Sequence, residues 1–290
     1  MIPAQASRTA YRVALRRATH QLLDAPPVFV DPVAISILGP ETEAALRADP
    51  QRFDDSRFGP AMRAFMAVRA RFAEEQLAHA RAAGVRQLVI LGAGLDTFAY
   101  RSRLDDPPLA VWEIDHPATQ AWKRELLGAA GIGAPTQLSF VAIDFQREAL
   151  ADKLAEAGFD ARAGAVFSWL GVTQYLAADD IFATLRYVAG ATAAGGGVAF
   201  DYSVAPHLLS VVERWAYEAL AARVSAAGEP WLSVFVPEEL VAAVRACGFA
   251  VSRDVGPDEL HACYLAGRSN PLRLGRLARL LWAGSAAYSC

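Results

Sequence analysis

The chain has 290 residues, 54% of them hydrophobic and 20% charged. That length suits one large α/β domain with an appendage, or two small domains, and that composition excludes disorder. The 28 Lys+Arg against 31 Asp+Glu leave a net charge of −3, which argues against a nucleic-acid binder with its basic surplus.

Residues 1 to about 60 show no strand alternation, and six prolines from Pro26 to Pro60 cut any helices short. Residues 61–82 then read as one long helix. Its apolar stripe contains Met62, Phe65, Met66, Phe72 and Leu77, and Arg69 falls near the middle of that stripe. A guanidinium on an apolar face needs a carboxylate partner. It is either an internal salt bridge or a receptor for a ligand carboxylate, where its bidentate geometry suits.

After Gly84 the pattern changes to apolar runs of strand length: 87–91, 109–114, 138–143, 165–170 and 197–202. Helical stretches near 97–104, 117–129, 146–157 and 178–192 separate them. Such alternation predicts a parallel, doubly wound sheet with helices on both faces. The first strand runs into Gly92-Ala93-Gly94-Leu95-Asp96-Thr97. Glycines there let the backbone approach a ligand closely. A pyrophosphate loop would continue to a third small residue, whereas Asp96 caps the next helix and repels anions. The loop therefore suits a phosphate-free nucleoside with a positive centre, a description that S-adenosylmethionine meets.

At the end of the second strand, Glu113 and Asp115 share one face, and Asp115 lies 21 residues after Gly94. That is about the distance at which an acid meets ribose hydroxyls. The alternative is a pair of solvated strand-end acids. Asp144 and Phe145 follow the third strand, an acceptor for an adenine amino group beside a flat apolar wall, although Asp144 also suits a helix cap.

Residues 206–227 read as a helical insertion and 237–247 as a helix with Pro at its start. Residues 249–255 and 261–267 read as two strands joined by Gly256-Pro257, a hairpin that ends the sheet. The segment 271–282 mixes Arg273, Arg276 and Arg279 with leucines; it reads as packed on the domain, with membrane contact as the other reading. Mean hydropathy is +0.20, yet charged residues interrupt every apolar run of about 18 residues. Alanine, 60 residues of it, accounts for much of that hydropathy. No signal peptide is visible. Cys247, Cys263 and Cys290 are scattered without a C-x-x-C, which suggests a reducing compartment and no metal site. A cytoplasmic location is expected.

These blocks resemble one family. The stretch from Leu88 to Arg101 resembles the signature of the leucine carboxyl methyltransferase family, whose bacterial branch contains many SAM-dependent methyltransferases. Glu113-Ile114-Asp115-His116-Pro117, Asp144-Phe145, Ser168 to Leu176, and Asp201-Tyr202 resemble its later blocks, and Arg69 matches the arginine that holds the SAM carboxylate. The family's phosphatase-directed branch has Glu where this chain has Leu170, which points away from a phosphatase C-terminus.

The resemblance implies a seven-stranded, Rossmann-like sheet with an antiparallel last strand. Residues 1–84 form a helical cap and 85–290 the SAM-binding domain, with an insertion at about 204–236. It implies SAM held by Arg69, Gly92, Ala93, Gly94, Asp96, Glu113, Asp115, Asp144 and Phe145. The expected reaction is methyl transfer to a carboxylate or hydroxyl of a small molecule, with no nucleic acid or membrane involved. An oxidoreductase using a nucleotide and a non-catalytic SAM-binding protein are the alternatives. A carboxylate needs no general base, whereas a phenol benefits from one. His207 is the expected base and Tyr175 a second catalytic contact. Arg101, Tyr202 and Trp215 are the expected substrate contacts.

Overall fold

The computed structural model describes residues 7–54, 58–144, 148–226, 228–270 and 272–286. Three helices precede the sheet: α1 (Arg8–Leu23), α2 (Pro40–Ala48) and α3 (Gly59–Ala82). Ser7 caps α1 by accepting the Ala10 N–H at 3.0 Å. Then β1 (Gln87–Leu91), α4 (Phe98–Arg101), β2 (Ala110–Asp115), α5 (Pro117–Ala129) and β3 (Leu138–Ala142) build one half of the sheet. The other half is α6 (Leu150–Glu156), β4 (Ala165–Trp169), α7 (Ala178–Ala191) and β5 (Gly196–Ser203). The tail adds α8 (Val211–Ser225), α9 (Pro237–Ala246), β6 (Val251–Val255), α10 (Pro257–Tyr264) and β7 (Ala278–Gly284).

The strand order is β3-β2-β1-β4-β5-β7-β6. β1 to β5 are parallel, and β7 runs antiparallel to both its neighbours. The order reverses between β1 and β4, and the crevice at such a switch point is where open α/β sheets take ligands.

Alternating side chains split the core in two. Leu88, Ile90, Val111 and Leu280 face one layer with Phe72 and Leu77 of α3 and Leu260 of α10. Val89, Leu91, Ile114 and Phe200 face the other, with Leu154 of α6, Leu185 of α7 and Leu240 of α9. Helices cover both faces, so the parallel strands are mostly apolar, and the hydropathy needs no membrane to explain it. No helix among the described residues is long and apolar enough to cross one.

Two expectations for the tail are corrected. Residues 261–267 are not a strand: Pro257-Asp258-Glu259 opens α10, with a helix-compatible proline and acids in the first turn. The last strand is instead Ala278–Gly284, which overlaps the end of the segment 271–282 that reads as packed on the domain. Its Arg279 is tolerated there because Asp254 of β6 takes its Nε at 2.8 Å. Cys263 is disulfide-bonded, so the cysteines give no support to a reducing compartment.

Candidate active site

The β1 strand delivers the chain into the turn at Gly92 (φ +67) and Gly94 (φ +48), both left-handed conformations that side chains rarely adopt. The Ala93 N–H reaches back to the Ile114 carbonyl at 2.9 Å. The Gly94 N–H donates to Asp115 Oδ2 at 2.5 Å, which fastens the loop to the end of β2. Asp96 caps α4 by accepting the Phe98 N–H at 2.7 Å. Helix α1 lies across this loop, so close that a Cβ on Gly94 would sit 3.0 Å from Ala10 Cβ.

A cavity of about 590 Å³ opens at the switch point between β1 and β4. The glycine loop, Asp115, His116, Ser168 and the turn after β4 line it on the sheet side. Its cover is α1, through Ser7 to Arg17, and the stretch 228–232. Thr9 of α1 donates to Glu229 and ties the two parts of the cover together.

Arg69 stands on the wall of this cavity, 6% exposed. Its Nη1 donates to Asp201 Oδ2 at 2.7 Å, and the Gly171 N–H donates to Asp201 Oδ1 at 2.5 Å. The structure shows the internal salt bridge directly, and it places the same side chain on the wall of a ligand-sized space. Gly171 must be glycine: its φ is +74, and a Cβ would meet the Arg69 guanidinium at 2.9 Å.

A second cavity, of about 320 Å³, shares Met66 and Arg69 with the first. Phe58, Met62, Phe65, Leu220 and Trp231 make its walls apolar. Tyr202 lines it too, but its hydroxyl donates to Asp254 at 2.7 Å, and burial beside that acid pushes its pKa up.

The structure brings Arg69, Gly92, Ala93, Gly94, Asp96, Asp115 and Tyr175 together around the first cavity. Other expected residues lie elsewhere. Glu113 is corrected: it is 1% exposed beneath the cavity floor and takes the Lys123 ammonium at 2.6 Å. Two residues down a strand is about 6.6 Å of depth, enough to remove it from the rim. Arg101 is buried against Glu74, with Asp31 at 3.6 Å, and lines neither cavity. His207 is exposed on a turn outside both cavities, because α8 begins with a fresh Ser210 cap that redirects the chain. Trp215 is 56% exposed and packs on the Phe58 ring rather than lining a cavity. The Asp144 N–H donates to Glu148 Oε2 and its carbonyl accepts the Glu148 N–H; Asp144 is not on the cavity wall, and Phe145 lies outside the described residues.

The residues missed are on the cover. Arg17 lines the first cavity, pairs with Asp31 and donates through Nη2 to Thr97 Oγ1 at 2.6 Å, yet its Nε is buried with no partner among the described residues. An arginine flanked by buried Ala14 and Ala18 carries the same signal that singled out Arg69.

Burial pushes Glu113 up to about 7, outweighing the Lys123 ammonium that opposes it. The folded chain therefore holds this proton more tightly than the unfolded one, whose glutamates titrate near 4.5. Stability contributed by the group is present at low pH and lost as pH rises from about 4.5 to about 7. Urea titrations across that window should show wild type losing stability relative to Glu113→Gln; parallel curves contradict the assignment.

The model of the leucine carboxyl methyltransferase family matches residues 10–189. The protein named "Putative S-adenosyl-L-methionine-dependent methyltransferase YktD" from Bacillus subtilis is 28% identical over 287 residues, 92% of this chain and 94% of that one. A protein of the same descriptive name from Saccharopolyspora erythraea is 33% identical over 67% of this chain and 66% of that one. One from Mycobacterium ulcerans is 36% identical over 179 residues, and the match spans little more than half of it, 56%. The crystal structure of a duf574 family protein from Streptomyces avermitilis has the same fold, with a TM-score of 0.57 at 16% identity over 98% of this chain and 100% of that one.

Proposed function

The chain belongs to the leucine carboxyl methyltransferase family and is an S-adenosylmethionine-dependent methyltransferase, and from that premise we propose that it methylates a carboxylate oxygen of a small, largely apolar acid. The first cavity fits the cofactor on its own chemistry. It has a glycine floor that no Cβ obstructs, a carboxylate at the β2 end and a guanidinium at the α3 end. In this reading Asp115 takes the ribose hydroxyls, Arg69 takes the amino-acid carboxylate, and Gly92 to Gly94 let the backbone lie against the ligand. Tyr175 remains part of the wall. When bound, the cofactor supplies an electrophilic methyl group on a sulfonium that is already a good leaving group.

The protein's own task is then positioning. Helix α1 and Glu229 close over the cofactor and keep water out. The second cavity orients the acceptor so that its oxygen points through the junction at Met66 and Arg69. The observation that carries the choice of acceptor is the absence of a base there. No histidine lines the second cavity among the described residues. Asp201 is committed to Arg69 and Gly171, and Glu213 to the Ser210 cap. A carboxylate arrives ionised at neutral pH; a phenol, with a pKa of about 10, does not. Trp231 Nε1 is buried without a partner among the described residues, so an acceptor with a further hydrogen-bond-accepting oxygen suits the cavity.

Incubation with methyl-tritiated SAM and a mixed panel of aryl and alkyl acids and phenols tests this. Label released as methanol by mild alkali marks a methyl ester and is the expected result. Alkali-stable label in a phenol would mark an ether and overturn the choice of carboxylate.

A further inference from the structure

The acceptor cavity adjoins a third space. Leu274 and Arg276 line both the second cavity and an open groove of about 580 Å³ on the outer side of α10. The first and third spaces share no lining residue, so the acceptor cavity lies between the cofactor cavity and the groove. The groove is basic. Arg268, Arg273 and Arg276 line it, and Asp258 is the only acid on it among the described residues.

The three arginines are not equally committed. Arg276 meets Asp258 through Nη2 at 2.8 and 2.9 Å and stands 3.9 Å from Glu213. Arg268 donates through Nη2 to the Pro26 carbonyl, while its Nε is buried and unpartnered among the described residues. Arg273 is exposed and has no ion pair or hydrogen bond among the described residues. Only one of the three charges is thus neutralised by a carboxylate on the groove. The chain as a whole carries −3, so this positive groove stands against the sign of the whole molecule. A recess lined by one sign of charge and walled by apolar residues focuses its field and concentrates counter-ions.

We propose that this groove is the entrance to the acceptor cavity, and that Arg273 draws the anionic acceptor into it. The inference rests on the reading of the second cavity as the acceptor site. It adds the route, the charge of the molecule that takes it, and the residue that selects for that charge. An acid passing Arg273 and Arg276 leaves its counter-ions at the groove, enters the apolar cavity, and keeps its carboxylate free for the junction.

The test uses the full chain saturated with S-adenosylhomocysteine and three probes, phenylacetate, 3-phenylpropionate and indole-3-acetate, each against its neutral amide. Affinity is measured calorimetrically at about 20 mM and about 500 mM salt, which moves the screening length from well beyond the groove's dimensions to well within them. Arg273→Glu should weaken binding of the acids by about tenfold at low salt and by less than about twofold at high salt. Arg273→Lys should restore wild-type binding, and the amides should respond to neither change. With SAM in place, KM for the best acid should rise in Arg273→Glu while kcat stays the same. S-adenosylhomocysteine affinity should be equal in all three proteins, which establishes that they are folded.

Acids and amides bound alike, or acid binding indifferent to Arg273→Glu, would overturn the entrance. So would a chain that binds S-adenosylhomocysteine but none of the acids. Salt-dependent acid binding without ester formation would sustain the entrance and sink the methylation of carboxylates. Ester formation without dependence on salt or Arg273 would do the reverse.

Discussion

Replacing Arg69 by alanine should lower the affinity for S-adenosylhomocysteine by at least about tenfold, the worth of one charge-assisted hydrogen bond to a carboxylate. The same substitution should also destabilise the fold, because Asp201, 4% exposed, would be left without its cation. Removing one partner of a buried pair costs about 3 to 5 kcal/mol. The two effects are separable. Asp201→Asn in the Arg69→Ala background removes the orphaned charge while retaining an oxygen for the Gly171 N–H, so it should return much of the stability and none of the affinity. Recovery of both by the double variant would mean that Arg69 serves the fold alone. Calorimetric titration and urea melts of the two variants make the distinction.

The second large effect lies under the floor of the site. Lys123 and Glu113 are each 1% exposed and meet at 2.6 Å, with the Tyr100 hydroxyl donating to the same carboxylate oxygen at 3.3 Å. Lys123→Met keeps the aliphatic stem and removes the charge. At pH 8 it should cost about 3 kcal/mol, since Glu113 is then left as a buried carboxylate with no counter-charge. At pH 5 the cost should shrink, because Glu113, pushed up to about 7 by burial, is already protonated there and no carboxylate is left without its counter-charge. Adding Glu113→Leu should recover most of the loss at either pH. An equal cost of Lys123→Met at pH 5 and pH 8 would contradict this picture. The pair matters to function because Glu113 lies in β2 two residues before Asp115, whose carboxylate fastens the glycine loop.

Much of this architecture is legible in the residues. The five parallel strands fall within a residue or two of their apolar runs, since a strand buried on both faces has little else to be. The antiparallel finish was expected, but not its place. His261 to Gly267 has the length of a strand, and only the Pro257-Asp258-Glu259 start reveals that helix α10 runs on into it as far as Tyr264. Across residues 271–282 the arginines and leucines imitate a helical stripe, and the partner that makes Arg279 acceptable in β7, Asp254, lies 25 residues away in sequence. Register across a sheet is not a local property.

The site divides in the same way. Arg69, the glycine loop, Asp96 and Asp115 are local patterns on or beside single elements, and the fold brings them to one cavity. Its cover is a long-range fact: Thr9 meets Glu229 across 220 residues. His207 and Trp215 follow β5 closely in sequence, but the turn and helix after it present them to solvent. Proximity along the chain to a strand's carboxyl end is a weak guide once an insertion intervenes.

In the proposed arrangement cofactor and acceptor occupy two cavities that meet at Met66 and Arg69. A crystal structure with S-adenosylhomocysteine tests it most directly. The ribose should lie against Asp115, the amino-acid carboxylate on Arg69, and the sulfur should face the second cavity. A ligand with its tail away from Arg69, or its sulfur turned from the second cavity, would contradict it.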